Sequence, residues 1–399
     1  MAGNGIPRRL LVLMGIVFVD MIGVLMILPL LPYYATDFNA SGTEVGLLTS
    51  IFAAAQVLSA PIWGRLSDRL GRRPIILFGL IGAAVGYLFF GFADALWMLF
   101  ATRLFQGVGA GTIGVIQAYV SDSVEAKDRA KALGWLTAAA SAGVMLGPII
   151  GSFFSEQFGR SAPGLFAAAL CIANLVFALR LLPESSAGPS GQRRSLLRAM
   201  GEVLTHPAAP ANWMVWVYSI GMMAFMAMNA LMGLYLMEVF SITELQIGWF
   251  YTYVGGLSVV MRAALLGPIL DRIGEVRAMQ VGTTCMAVGL LAAPLVDHVA
   301  LFLAVVALIP IGTAMFFPAS TSILSQRSPK GEVGQMLGVQ QSFRGIAGIA
   351  GPAWAGVAYD HLSKGAPFVI GAMVMAVAVL ATLRVATADG EAPESNKAA

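Results

Sequence analysis

Charged side chains are expensive inside apolar sequence, so the few that interrupt the long apolar stretches of this 399-residue chain mark where chemistry could be done. Asp20, between Val19 and Met21, is the only carboxylate that falls near the middle of such a stretch. Arg103, Arg344 and Arg262 are the cations. An intramembrane guanidinium is costly and normally faces a cavity or a partner, so Arg103 and Asp20 are candidates to meet. By helical rise, Asp20 lies about 15 Å from one end of its stretch and Arg103 about 10 Å from the opposite end of an antiparallel neighbour. A long arginine there reaches the carboxylate or the water around it; a purely structural Asp20–Arg103 pair is the alternative. Arg344 reads either as a ligand for an anionic or carbonyl-rich substrate or as a structural ion pair, and Arg262, near the end of its stretch, as a snorkelling or a binding residue. Gln117, Asn229, Tyr253 and Phe316, with Tyr119, Trp249 and Phe317, offer polar and aromatic surface for the same cavity. The 21 methionines suit a pocket that repacks easily. His206, His298 and His361 fall near stretch ends and are not read as proton carriers, and Cys171 and Cys285 have no partner at metal or redox spacing and read as packing residues. No phosphate loop, metal cluster or nucleophile constellation is found, so neither an enzyme nor a metal or organic cofactor is expected, only protons as a coupling ion.

The elements that must position these residues follow from composition. A chain that is 58% hydrophobic and 11% charged cannot bury its apolar residues in one soluble core, and lipid must be the solvent for much of it. The apolar runs are continuous rather than alternating and approach the roughly 20 residues needed to cross about 30 Å of hydrocarbon, which predicts helices rather than a barrel. Spans are read at 10–33, 45–66, 74–93, 96–120, 132–154 and 163–182, then at 212–238, 245–268, 276–296, 298–324, 335–358 and 366–386. The expected fold is an all-α membrane protein of twelve transmembrane helices in two six-helix bundles. The first run is too long for a signal peptide and is expected to remain as the first helix.

Basic residues gather in alternate connections: Arg8 and Arg9, Arg65 to Arg73, Lys127 to Lys131, Arg180 to Arg198, Arg272 and Arg277, Arg327 and Lys330, Arg384 and Lys397. The intervening connections keep only Arg160 and Lys364. This asymmetry predicts that both termini lie in the cytoplasm, and the net charge of +3 then requires the inner leaflet rather than a nucleic acid as its partner. The polar, basic stretch from Pro183 to Pro210 divides the chain into an N-terminal bundle (1–182), a linker (183–211), a C-terminal bundle (212–388) and a tail (389–399). Gly64-Arg-Leu-Ser-Asp68-Arg69-Leu-Gly71 recurs as Gly267-Pro-Ile-Leu-Asp271-Arg272-Ile-Gly274, and Gly147-Pro148 recurs as Gly351-Pro352 in nearly the same register. Two homologous halves are the expected origin.

The segment Gly64 to Pro74, with Asp68, Arg69, Gly71, Arg72 and Arg73, resembles the signature loop between the second and third helices of the major facilitator superfamily. Arg103-Leu-Phe-Gln106-Gly107-Val-Gly109-Ala-Gly111 is similar to the second motif of that superfamily, whose buried arginine is associated with proton coupling. Gly143, Gly147, Pro148 and Gly151 resemble the motif that marks its antiporters. Asp20 is similar to the first-helix acid of its drug exporters. Physically, Gly64 would allow close backbone approach at a helix end, Asp68 would cap an element or pair with a basic side chain, and small residues four apart would let helices touch around a proline kink. The resemblance covers nearly the whole chain and implies the drug:proton antiporter family, with the tetracycline-efflux branch nearest. It implies alternating access about a midplane site, the Gly64–Pro74 loop and its Asp271–Arg272 repeat acting as a cytoplasmic gate. It also implies multidrug or small-molecule efflux by a monomer in the inner membrane, driven by the proton gradient. The chain departs from that branch where Gly86-Tyr87 stands in place of an acid, and at Val260-Met-Arg262 and Thr284-Cys285-Met286. Two alternatives remain at this point: an organic-anion or metabolite symporter or uniporter built around Arg344, and a non-transporting membrane receptor.

Overall fold

A computed structural model describes residues 8–124, 128–184, 196–329 and 332–390; Lys127, Arg193, Arg194, Lys330, Lys397 and most of the expected tail lie outside them. Every described element is helical. The first half comprises α1 (Arg8–Ile27), α2 (Leu31–Asp37), α3 (Gly42–Leu70), α4 (Arg72–Gly91), α5 (Leu96–Ala110), α6 (Ile113–Ser123), α7 (Arg129–Phe158) and α8 (Ser161–Leu181). A short α9 (Leu196–Thr205) follows inside the expected linker, and α10 begins at Pro210. The second half continues with α10 (Pro210–Phe240), α11 (Glu244–Val260), a π-helical turn (Met261–Leu265), α12 (Leu266–Ala292), α13 (Val299–Val306), α14 (Leu308–Arg327), α15 (Val333–His361) and α16 (Ala366–Gly390).

Local chemistry explains most boundaries. Pro29 ends α1, and Pro32 sits in the first turn of α2, where its missing N–H costs nothing. Ser41 and Glu44 form a reciprocal capping box at the start of α3. Gly71 (φ 97°) turns the chain between α3 and α4 in a conformation that glycine adopts freely, and Gly274 (φ 76°) interrupts α12 at the corresponding point of the second half. The sequence repeat is thus also a repeat of backbone conformation.

Ten helices among the described residues are long and apolar enough to span a membrane. One run, Glu244–Leu295, has 52 residues and is far too long for one crossing, so it holds two, divided near Gly274. α15, with 29 residues and the polar Gln340, Gln341 and Arg344, supplies the remaining crossing of the expected twelve. Large apolar side chains such as Leu58, Trp97, Met373 and Leu380 stand exposed on the surface, as lipid contact requires.

Two compact units form, and their division does not follow the two halves. The first contains Met1–Gln192 with Ala230–Gly255 and Pro352–Asp360; the second contains Arg193–Asn229, Gly256–Gly351 and His361–Ala399. In the first unit α1 packs on α7, α4 on α8, and α5 on both α3 and α4. This unit also takes in the last turns of α10 and α15 and most of α11. Asp360 accepts hydrogen bonds from the backbone N–H groups of Gly42 (2.8 Å) and Thr43 (2.7 Å) and from the Thr43 hydroxyl (2.6 Å). Arg160 pairs with Asp37 and with Glu244 (3.3 Å), and Glu244 also accepts from Ser155. Tyr33 donates to the Ile242 carbonyl (2.6 Å) and Tyr359 to Glu238 (3.0 Å). Local sequence holds no sign of this clustering, because its partners lie from 84 to 318 positions apart. In the second unit α12 packs on α14 and α16.

Candidate functional site

Asp20 lies two-thirds along α1, half-buried, where three neighbouring helices converge. On α7, a Cβ at Gly143 would press against Phe18, Met21 and Ile22, the residues that bracket Asp20. Gly147 and Gly151 continue the seam against Ile22, Leu25 and Met26, so the three expected motif glycines form one line of close approach between α1 and α7. On α4, Tyr87 packs its ring against Gly23, one turn after Asp20. On α8, Asn174 donates to the Ile16 carbonyl (3.1 Å), one turn before Asp20, and Cys171 is fully buried nearby as a packing residue. The Asp20 carboxylate itself has no hydrogen bond or ion pair among the described residues.

Arg103 is 1% exposed on α5. One of its terminal nitrogens donates to Gln106 Oε1 (2.9 Å), and its guanidinium lies 5.1 Å from the centre of the Phe52 ring. Gly107, pressed against Phe52 and Ala55, and Gly86, pressed against Gln106, let α3, α4 and α5 close around this side chain. Arg103 therefore makes no direct ion pair with Asp20. Tyr87, packed on Gly23 one turn after Asp20, lies near both. Arg103 Nε and Gln106 Nε2 are buried donors without a partner, an arrangement that calls for an acceptor or water. Asp20 and Arg103 were singled out from sequence, whereas Tyr87 and Gln106 were not. The signal for Gln106 was its i+3 spacing from Arg103 on one helical face.

The loop motif is assembled as a fork. Arg72 reaches Asp68 (2.5 Å), Ser67 (2.6 Å) and Asp122 (3.3 Å), tying α3 and α4 to α6. Arg73 donates to the Leu179 carbonyl (2.6 Å), and its backbone N–H donates to Glu184 (3.2 Å). All these partners belong to the first half. Arg69, Asp271 and Arg272 are exposed and make no ion pair among the described residues. Gly64 lies inside α3 rather than at a helix end, and a Cβ there would meet nothing within 4 Å, so the expected close approach is absent.

The cavity residues divide. Gln117 and Tyr253 are exposed, Asn229 is half-buried, and Arg344 is exposed on α15. Phe316 is wholly buried, its ring filling the space that Gly221 leaves on α10, and cannot line a cavity. Tyr119 is likewise buried, its hydroxyl donating to the Pro183 carbonyl (2.6 Å). Both corrections have one cause: an aromatic residue opposite a glycine or a free carbonyl packs inward, which a single span's composition does not reveal.

The sequence model of the Major Facilitator Superfamily matches residues 13–265 and 263–399, nearly the whole described chain. The chain belongs to the Major Facilitator Superfamily. It is 28% identical over 388 residues to the tetracycline resistance protein, class C, of Escherichia coli, covering 94% of this chain and 97% of that protein. It is also 28% identical over 384 residues to multidrug resistance protein 2 of Bacillus subtilis (strain 168), covering 94% of each. Among solved structures it resembles the human organic anion transporter MFSD10 (TETRAN), with a TM-score of 0.69, 21% identity, and 94% and 99% of the two chains covered. It also resembles a POT family transporter, with a TM-score of 0.78, 16% identity and 97% of each chain covered. At these identities the structural likeness concerns the fold. As a member of this superfamily the chain is a multi-pass membrane protein of a transporter family.

Proposed function

We propose that this chain is a proton-coupled exporter of drug-like small molecules that works by alternating access. The observation that carries the proposal is the setting of Asp20: a carboxylate inside a crossing helix, without a protein partner, bracketed by the glycine seam of α7. A proton and a substrate would compete for that carboxylate, and its occupancy would bias how α1 and α7 slide on each other. Arg103 and Gln106 supply fixed positive charge and unfilled donors behind Tyr87, which would favour the ionised carboxylate once the proton leaves inward. The names of the relatives, tetracycline and multidrug resistance proteins, support efflux as the direction. Both termini are inferred to lie in the cytoplasm of a bacterial cell, from the distribution of Lys and Arg, with the protein acting as a monomer and needing no cofactor beyond the proton.

The test is drug susceptibility and dye accumulation in an efflux-deficient bacterium expressing the chain, with and without a protonophore. Lower accumulation that the protonophore abolishes is the expected result. Equal accumulation with and without the chain, at verified membrane expression, would overturn the proposal.

A further inference from the structure

The second unit gathers hydrogen-bond donors around two arginines without an acid. Arg262 sits in the π-helical turn Met261–Leu265, and single π turns inserted between α-helical segments recur at functional sites because they re-aim a side chain. Its neighbour Met261 is buried against Ala314 and Met315 of α14, which fixes the turn. Arg344 lies about 16 Å along α15 by helical rise, too deep for its guanidinium to belong simply to the headgroup layer. Arg262 and Arg344 lie near one another, and both lie near Tyr218 of α10. Tyr218 is seated against Met222 and Ala347, with its ring 5.2 Å from that of Phe317. One turn before Arg344, Gln340 is 1% exposed; its Oε1 accepts from Thr321 (3.3 Å), and its Nε2 is buried with no partner. Among the described residues neither arginine forms a salt bridge.

Both side chains are exposed and so open to a ligand, and like charges held near one another favour an anion between them. Guanidinium groups take carboxylates through paired N–H donors, and the adjoining aromatic rings offer a flat apolar wall to the rest of such a ligand. We propose that Arg262, Arg344, Gln340 and Tyr218 form an anion subsite, so that the transported compounds carry an acidic group on an aromatic or apolar body. This deepens the exporter reading and rests on it for the direction of transport.

The test uses the full chain in phosphatidylcholine nanodiscs with 6-carboxyfluorescein as the probe, followed by fluorescence anisotropy. Arg262→Gln and Arg344→Gln should each weaken binding by about tenfold or more, as loss of a charged hydrogen bond implies, and Arg344→Lys should fall between Gln and Arg. Arg198→Gln, which alters an exposed arginine of α9 outside the subsite, should bind the dye as the parent does. Dye binding that Arg198→Gln keeps and the Arg262 and Arg344 variants lose supports the subsite whatever becomes of proton coupling. A parent protein that does not bind the dye, or arginine variants that bind it unchanged, would overturn it. Replacing part of the lipid with phosphatidylglycerol separates a lipid ligand from a soluble one. Complete displacement of the dye by that lipid, lost in both Gln variants, would assign the site to a headgroup and overturn the substrate reading.

Discussion

Replacing Gly46 by alanine adds one methyl group where α3 and α15 meet. That methyl would lie well inside contact distance of the Pro352 carbonyl oxygen and 3.3 Å from the Cα of Gly356. Both obstacles are backbone and cannot rotate aside, so ordinary contact returns only if α15 withdraws by about 1 Å. Overpacking of this kind costs about 1–3 kcal/mol. The cost falls only on the state in which these helices touch; a stage of the transport cycle that separates them escapes it. The ratio of separated to touching states should therefore rise by about 5- to 150-fold. Spin labels on cysteines replacing the exposed Phe158 and Val239, in a background with Cys171→Ala and Cys285→Ala, would report this ratio by pulsed dipolar spectroscopy in nanodiscs. The expected result is growth of a longer-distance population. An unchanged distance distribution in a variant that melts normally would refute the argument that this glycine contact holds the end of the unit shut.

Other substitutions probe the remaining links. Gly151→Val should wedge the α1–α7 seam at Met26 and destabilise the protein by about 1–3 kcal/mol, measured as a lower melting temperature in nanodiscs; an unchanged melt would mean the seam yields freely. Arg72→Lys keeps the charge but loses the fork that joins Asp68, Ser67 and Asp122, and should cost about 1 kcal/mol after allowance for the half-exposed Asp68. Its melt should fall while drug binding stays intact. Tyr87→Phe leaves the ring against Gly23 and removes only the hydroxyl that lies near Asp20 and Arg103. Proton-driven efflux should drop about three- to tenfold, with substrate exchange in the absence of a gradient preserved; unchanged driven efflux would make the hydroxyl a bystander.

Much of this architecture is written in local sequence because lipid imposes simple rules. Span length, the absence of charge and the position of arginines follow from the cost of polar groups in hydrocarbon. Gly71 and Gly274 could be paired from sequence because each is required by a turn of positive φ, and the structure places the same conformation at both. Gly143, Gly147 and Gly151 were legible for a similar reason: their spacing puts all three on one helical face. What escaped the sequence depends on long-range partners. Arg103 bonds to Gln106, three residues on along its own helix, instead of the carboxylate that charge arithmetic suggested. Phe316 turned inward because Gly221, on another helix, leaves room for its ring. The π turn at Arg262 has no marker in Met-Arg-Ala-Ala-Leu, since it adds a residue to a turn without changing composition.

The most direct test of the account is drug-induced proton movement in membrane vesicles containing the full chain, compared with Asp20→Asn at equal expression. Adding a transported drug should dissipate the proton gradient in vesicles with the parent protein and leave it untouched with Asp20→Asn, which still reaches the membrane folded. Equal dissipation by both would contradict it, and would remove Asp20 from the centre of the mechanism.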